Sequence, residues 1–349
     1  GVITQALFTA LVLMALVTTF MAGPILRLID PRNEFGESAE AELDAAPAVL
    51  PAGVAPVGGS ILVAPQSGAA IPQLLSLAEP LASSDPPREV IIAQLVRPPR
   101  GTAVRGGLQS EQRRLEAAER LVEVARDQLV ADGIPARAAA ITSASSDADV
   151  TRLANREDVA LVLIDGRRPL LGGGGIPRAG VGEVLRESSA DVAVLVAREG
   201  VAVTPPPEGI VSVPFGGAPN DWVALEIAAA ICSATGAQLR LIGSRGRGPE
   251  DKDASDLLGN AAMLVRNFVG VDGEAVLAEP GREGILAAVE GSSLVFIGLS
   301  ERWRQEGLGE TRGAIARAAP APIVFVRAGD REGGLEPAGS LTRLGWSRA

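Results

Sequence analysis

Apolar and small polar positions run through residues 1–26 without one Asp, Glu, Lys or Arg. At about 1.5 Å of rise per residue a helix of that length reaches roughly 39 Å, enough to cross a ~30 Å hydrocarbon core with some tilt. The pattern predicts a transmembrane helix over 1–29. A secretory signal does not fit, because it needs a basic start, an apolar stretch of about 7–15 residues and a small-residue cleavage site. No Lys or Arg precedes the run. The first charges are Arg27, Asp30 and Arg32, which predicts a cytoplasmic C-terminal side. With no extracellular segment ahead of the helix, the chain reads as the end of a longer one. Small side chains at Ala6, Ala10, Ala15, Thr18, Thr19, Ala22 and Gly23 suit close helix packing in a bundle, with a single-span anchor as the alternative. Pro24 sets a kink or exit.

Downstream the pattern changes to short apolar runs alternating with longer segments of helical spacing. Strands are predicted at 60–64, 89–95, 136–141, 159–164 and 192–196, with a helix over 110–131 in which Leu115, Ala118, Val122, Ala125 and Leu129 share one face. The order then repeats, with strands at 210–213, 238–242, 274–278, 293–297 and 322–326 and helices at 221–234, 254–268, 281–290 and 311–318. Continuous apolar strands joined by helical crossovers mark a parallel sheet buried on both faces. The expected fold is α/β, one N-terminal transmembrane helix followed by two doubly wound parallel-sheet domains, 58–199 and 206–328. Pairing of the two within a chain or between chains stays open.

Residues 30–57 form an Ala/Pro-rich linker with carboxylates at Asp30, Glu34, Glu37, Glu40, Glu42 and Asp44 against Arg32 alone. Few large apolar side chains are present to offset ordering entropy, so the stretch reads as a tether. The tail 329–349, rich in Gly, Arg and Glu, is expected to be disordered.

Composition narrows the chemistry. The 349-residue chain has no His and no Tyr. That excludes His-based triads, His-built zinc sites and imidazole proton shuttles. The lone Cys232 cannot form an internal disulfide, which suits a reducing compartment. A net charge of −10 argues against an extended nucleic-acid footprint. No catalytic residue, metal ligand or cofactor is expected, and no P-loop, nucleophile elbow or dinucleotide fingerprint is present.

The segment 7–24, with Met14-Ala15-Leu16-Val17-Thr18-Thr19 followed by Gly23-Pro24, resembles the last transmembrane helix of the cation:proton antiporter-2 family, the sodium/hydrogen exchanger group. The order of strands and helices resembles the universal stress protein fold over most of 58–328. Pro214-Phe215-Gly216-Gly217, Asn220-Asp221-Trp222 and the run from Gly298 to Arg304 look like strings in the cytoplasmic tails of bacterial antiporters of that family. The resemblance implies the C-terminal part of a K+ or Na+ antiporter, in a bacterial plasma membrane with its paired domains in the cytoplasm as regulators. Its implied partners are membrane lipid, an upstream transmembrane bundle, a second copy of the chain and a small anionic ligand. The ion-binding carboxylates of that family lie on earlier helices, so no transport residue is assigned. The rival is a membrane-tethered universal stress protein that senses a nucleotide or metabolite; a hydrolase has least support.

Nucleotide-binding universal stress proteins carry Gly-x2-Gly-x9-Gly-(Ser/Thr) after the fourth strand and an Asp after the first. The first domain keeps Gly172 and Gly182 at that spacing, but Pro169 and Glu183 replace the first glycine and the hydroxyl, and Pro65-Gln66-Ser67 follows the first strand. Gly172 and Gly182 are its candidate ligand-binding residues, beside a basic loop with Arg167, Arg168 and Arg178. In the second domain Ser300 and Trp303 fall at the glycine positions before Gly313-Ala314, and Pro214-Phe215 follows the first strand. Arg302, Arg304 and Arg312 are expected near its sheet mouth with Ser300, Trp222 and Trp303, either as an anion clamp or as a charged helix start pairing with Glu301 and Glu306. Neither domain is expected to bind ATP tightly.

Overall fold

The computed structural model describes residues 59–83, 87–98, 104–156, 159–166, 180–197, 201–246, 253–330 and 335. The chain divides after Val49, and all of these residues lie in the unit Leu50–Ala349. The predicted membrane helix over 1–29 and the linker 30–57 lie outside them. Among the described residues no helix is long and apolar enough to cross a membrane.

The first lobe contributes strands β1 (Ser60–Val63), β2 (Val90–Val96), β3 (Ala136–Thr142), β4 (Val159–Asp165) and β5 (Asp191–Val196). The second contributes β6 (Ile210–Pro214), β7 (Gln238–Ser244), β8 (Gly273–Ala278), β9 (Leu294–Gly298) and β10 (Ile323–Arg327). Within each lobe the strands are parallel, and every one forms at its predicted place. The central strands are mainly runs of Val, Ile, Leu and Ala, with charges only at the ends of β4, β5 and β10; Ile61, Ile92, Val162 and Phe296 are fully enclosed.

The two lobes share one sheet, in the order β3-β2-β1-β4-β5-β10-β9-β6-β7-β8. The junction is antiparallel, with Ile323 opposite Val196 and Arg327 opposite Val192. Pairing within the chain, left open by the sequence, is thus made by the last strand of each repeat.

The helices are α1 (Ile71–Ala82), α2 (Val104–Ala131), α3 (Ser146–Ala154) and α4 (Val181–Glu187) in lobe 1. Lobe 2 has α5 (Pro219–Thr235), α6 (Ser255–Val269), α7 (Arg282–Ala288), the single turn α8 (Trp303–Glu306) and α9 (Gly309–Ala318). In α2 the predicted stripe faces inward, since Ala118, Val122, Ala125 and Leu129 are buried. On one side of the sheet α1 packs against α5, so Leu74 and Leu77 join Leu225 and Ala228 in a single core. On the other side α3 packs on α4 and α7 on α9.

Local chemistry ties the lobe connection down. Pro80 inside α1 has no N–H to give the carbonyl one turn earlier. That carbonyl, Ser76 O, instead accepts Thr204 Oγ1 from the interlobe connection at 3.2 Å, and the neighbouring Val203 is 3% exposed. The start of the predicted disordered tail is a correction. Gly329 N donates to Asp191 at 2.6 Å, Asp330 N donates to Ser189 O at 2.8 Å, and Leu335 is buried with its N–H on the Glu226 carboxylate. Composition read this stretch as solvated because one apolar side chain among Gly, Arg and Glu carries little local signal, yet Leu335 joins the core beside α5.

Cys232 on α5 is 2% exposed, and burial pushes its thiol up to about 12. Thiolate is the reactive form. The native protein is expected to resist a maleimide at neutral pH and to react once unfolded; rapid native labelling, followed by mass spectrometry, would contradict the packing of α5.

Candidate functional site

In open α/β sheets ligands gather beyond the carboxyl ends of the strands. Each lobe has a cavity there. The lobe 1 cavity, about 550 Å³, lies beyond β1, β2 and β4, with Gln66, Ser67, Gln94, Arg97, Arg114 and Asp147 among its polar lining. Arg97 is already engaged, its Nε on Ser146 Oγ at 2.9 Å and its Nη2 on Asp147 at 3.3 Å. Asp147 also accepts the amide of Gly180 at 2.7 Å, which holds the start of α4 against the start of α3. Arg114 has no ion-pair partner among the described residues. Inside, Gln94 Oε1 is buried without a hydrogen-bond partner among the described residues. The mouth is therefore basic and the interior offers an acceptor.

Of the two candidate glycines, Gly182 is buried in α4, and its carbonyl accepts Arg186 Nη1 at 2.9 Å. Its neighbours Val181 and Val184, not Gly182 itself, line the cavity. Gly172 lies outside the described residues, as do Pro169, Arg167, Arg168 and Arg178.

The lobe 2 cavity, about 510 Å³, lies at the equivalent ends of β6, β7 and β9. The acid at this strand end is Asp221, which lies on α5 and not directly after β6. Beyond Pro214 the chain turns through Gly217, at φ 82° in the region that glycine enters without strain, and Pro219 opens α5. Asp221, in the first turn of α5, then points back to the strand end. Its Oδ2 accepts the amides of Gly216 at 3.0 Å and Ala218 at 3.3 Å. Desolvation raises its pKa from the ordinary value, opposed by the Gly216 amide, Arg312 and the Ala218 amide, and assisted by Glu301. A Pro at N1 with an acid two residues on was the available signal, but the expected place for an acid was directly after the strand.

Arg312 on α9 lines the same cavity and donates Nε to the carbonyl of Gly298 at 2.7 Å. Asn220 bridges the ends of β9 and β10, donating Nδ2 to Leu299 O and accepting the amide of Ala328, both at 2.7 Å.

Of the arginines expected at this mouth, only Arg312 lines the cavity. Arg302 is 77% exposed on its side chain and pairs with Glu306 at 3.8 Å, the solvated helix-start arrangement. Trp303 is 2% exposed and carries the Arg304 guanidinium 5.2 Å from its ring centroid and that of Arg186, from lobe 1, at 5.7 Å. The residue at a phosphate-loop glycine position thus serves the lobe junction. Trp222 is also buried, edge-on to Phe215 at 4.8 Å, and backs the cavity wall.

No protein-family model matches the chain. No curated protein matches it either. Among solved structures, a universal stress protein from Archaeoglobus fulgidus DSM 4304 aligns with a TM-score of 0.55 at 18% identity, covering 78% of this chain and 97% of that one. The fold is similar to that of a universal stress protein. The cytoplasmic domain of a prokaryotic cation chloride cotransporter aligns with a TM-score of 0.50 at 11% identity, covering 79% of this chain and 98% of that one. Shares of this size take in both lobes. The universal stress protein-like architecture of this chain is therefore the two-lobed one, and identities this low speak to the fold alone.

Proposed function

We propose that this chain is the C-terminal part of a monovalent cation:proton antiporter, exchanging K+ or Na+ for H+, with residues 1–29 as its last membrane helix and the two lobes as a cytoplasmic regulatory module. The observation that carries this reading is the likeness of both lobes together to the cytoplasmic domain of an ion cotransporter. The uncharged stretch 1–26, with its first basic residues on the C-terminal side, supports it independently. In this reading the module has no enzymatic role and no nucleic-acid partner. Its partners are lipid, the upstream bundle, a second copy of the chain and a small anion drawn to Arg114 at the lobe 1 mouth, and the protein resides in a bacterial plasma membrane.

Everted vesicles carrying the full-length gene product test it. Addition of K+ or Na+ is expected to dissipate an imposed pH gradient, and deletion of residues 59–330 is expected to change the rate while transport persists. A full-length product with no cation-dependent proton movement would favour the second reading, a membrane-tethered universal stress protein that senses a nucleotide or metabolite. That alternative draws on the other neighbour, which is itself a universal stress protein.

A further inference from the structure

The lobe 2 cavity holds an acid, a base and an apolar wall in one space. Asp221 is 4% exposed, yet it lines the cavity with one oxygen uncommitted. Both amide bonds fall on Oδ2, and Oδ1 has no hydrogen-bond partner among the described residues. Oδ1 is open to the cavity rather than sealed in the core, so a donor entering the cavity can reach it. Arg312 uses Nε on Gly298 O, and its terminal nitrogens have no partner among the described residues. Thr311 adds a hydroxyl to the lining, while Ser244 Oγ is spent on Arg245 O and Asp253 Oδ1 on the Ser255 amide. Phe215, Ile242, Leu257 and Ile297 supply the apolar wall.

Charge decides what fits. A polyphosphate would meet Asp221 and Asp253 with Arg312 as its one cation, and Ser300 and Trp303 stand where phosphate-cradling glycines belong. A simple anion is repelled by the two carboxylates, and a simple cation by the guanidinium. A zwitterion with a hydrocarbon body satisfies all three surfaces, and the volume lies within the ~300–1,000 Å³ usual for small-molecule sites.

We propose that the lobe 2 cavity binds an aliphatic α-amino acid, its ammonium on Asp221 Oδ1, its carboxylate on Arg312 and its side chain against Ile242, Leu257 and Ile297. Burial that raises the Asp221 pKa favours a site whose carboxylate is best ionised with a cation beside it. This site is separate from the basic mouth of lobe 1 and does not depend on how the chain is anchored. It would make the second lobe an amino-acid sensor.

Titration calorimetry of the full chain in detergent micelles tests it with three probes: L-leucine, 4-methylpentanoate, which lacks the ammonium, and 3-methylbutylamine, which lacks the carboxylate. Leucine is expected to bind saturably, with each analogue about tenfold weaker or worse, the usual cost of a lost charged hydrogen bond. Asp221→Asn should abolish the preference over 4-methylpentanoate, and Arg312→Gln the preference over 3-methylbutylamine. No saturable leucine binding at millimolar concentration, or an analogue that binds as well as leucine, overturns the proposal. Should either variant fail to fold, the probe series on the unaltered chain decides alone.

Discussion

Gly298→Ala is expected to destabilise the protein by about 1–3 kcal/mol, the range for forcing atoms into a well-packed site, and to displace Asp221 from the lobe 2 cavity. A Cβ at this position, the last of β9, would collide with Asp221 Oδ1 and lie 2.7 Å from the Asp221 amide nitrogen and the Asn220 carbonyl carbon. Those atoms cannot retreat. Asn220 is held to both Leu299 and Ala328, and Asp221 to the Gly216 and Ala218 amides. The close approach of α5 to β9 is what brings the acid to the strand end, so the absence of a side chain at Gly298 is a condition of the site. Gly259 on α6 is the control. A Cβ there meets nothing within 4 Å, so Gly259→Ala should stabilise by about 0.5–1 kcal/mol through helix propensity. Urea unfolding of the two variants should give midpoints displaced in opposite directions. Equal, small shifts would mean that the β9–α5 contact is not as tight as described.

The second large effect is expected at the junction of the lobes. Phe325 on β10 is 1% exposed and sits opposite Val194 of β5. Truncating so enclosed a ring costs about 3–5 kcal/mol, the transfer term plus the cavity left behind. Because β5 and β10 are hydrogen-bonded neighbours and α1 and α5 share one core, the loss should be felt in lobe 1 as well. Hydrogen exchange of Phe325→Ala is expected to show faster exchange for Val194 and Leu195 as well as for Phe325 and Val326. If only lobe 2 amides respond, the lobes are independent units and the shared sheet contributes little to either.

Much of the architecture was already legible in the chain. Ten strands appear where short, mainly apolar runs predicted them; the central ones, such as β1, β4 and β9, are enclosed by both layers of helices and so must be almost wholly apolar, and that requirement leaves a local mark. The inward stripe of α2, from Ala118 to Leu129, is equally local, a matter of side chains recurring on one face. The element order of the universal stress protein fold followed from the same marks.

The sites were less legible, since their members meet only in space. Arg302, Arg304 and Arg312 look alike in sequence and part company in the structure, to solvent, to Trp303 and to the cavity. Trp303 reads as a broken glycine pattern until Arg186 of the other lobe is found beside it. Gly182 kept the glycine spacing, but its helix turns neighbouring valines to the cavity.

By itself the sequence determined the two copies of an α/β repeat, because burial on one or both faces dictates the period of apolar positions. Only the tertiary structure decided that β5 and β10 join the copies edge to edge, and that Asp221 and Arg312 face one cavity. An unpaired strand edge has no sequence signature of its partner, and two charges distant along the chain come together only through the close packing of α5 on β9 at Gly298.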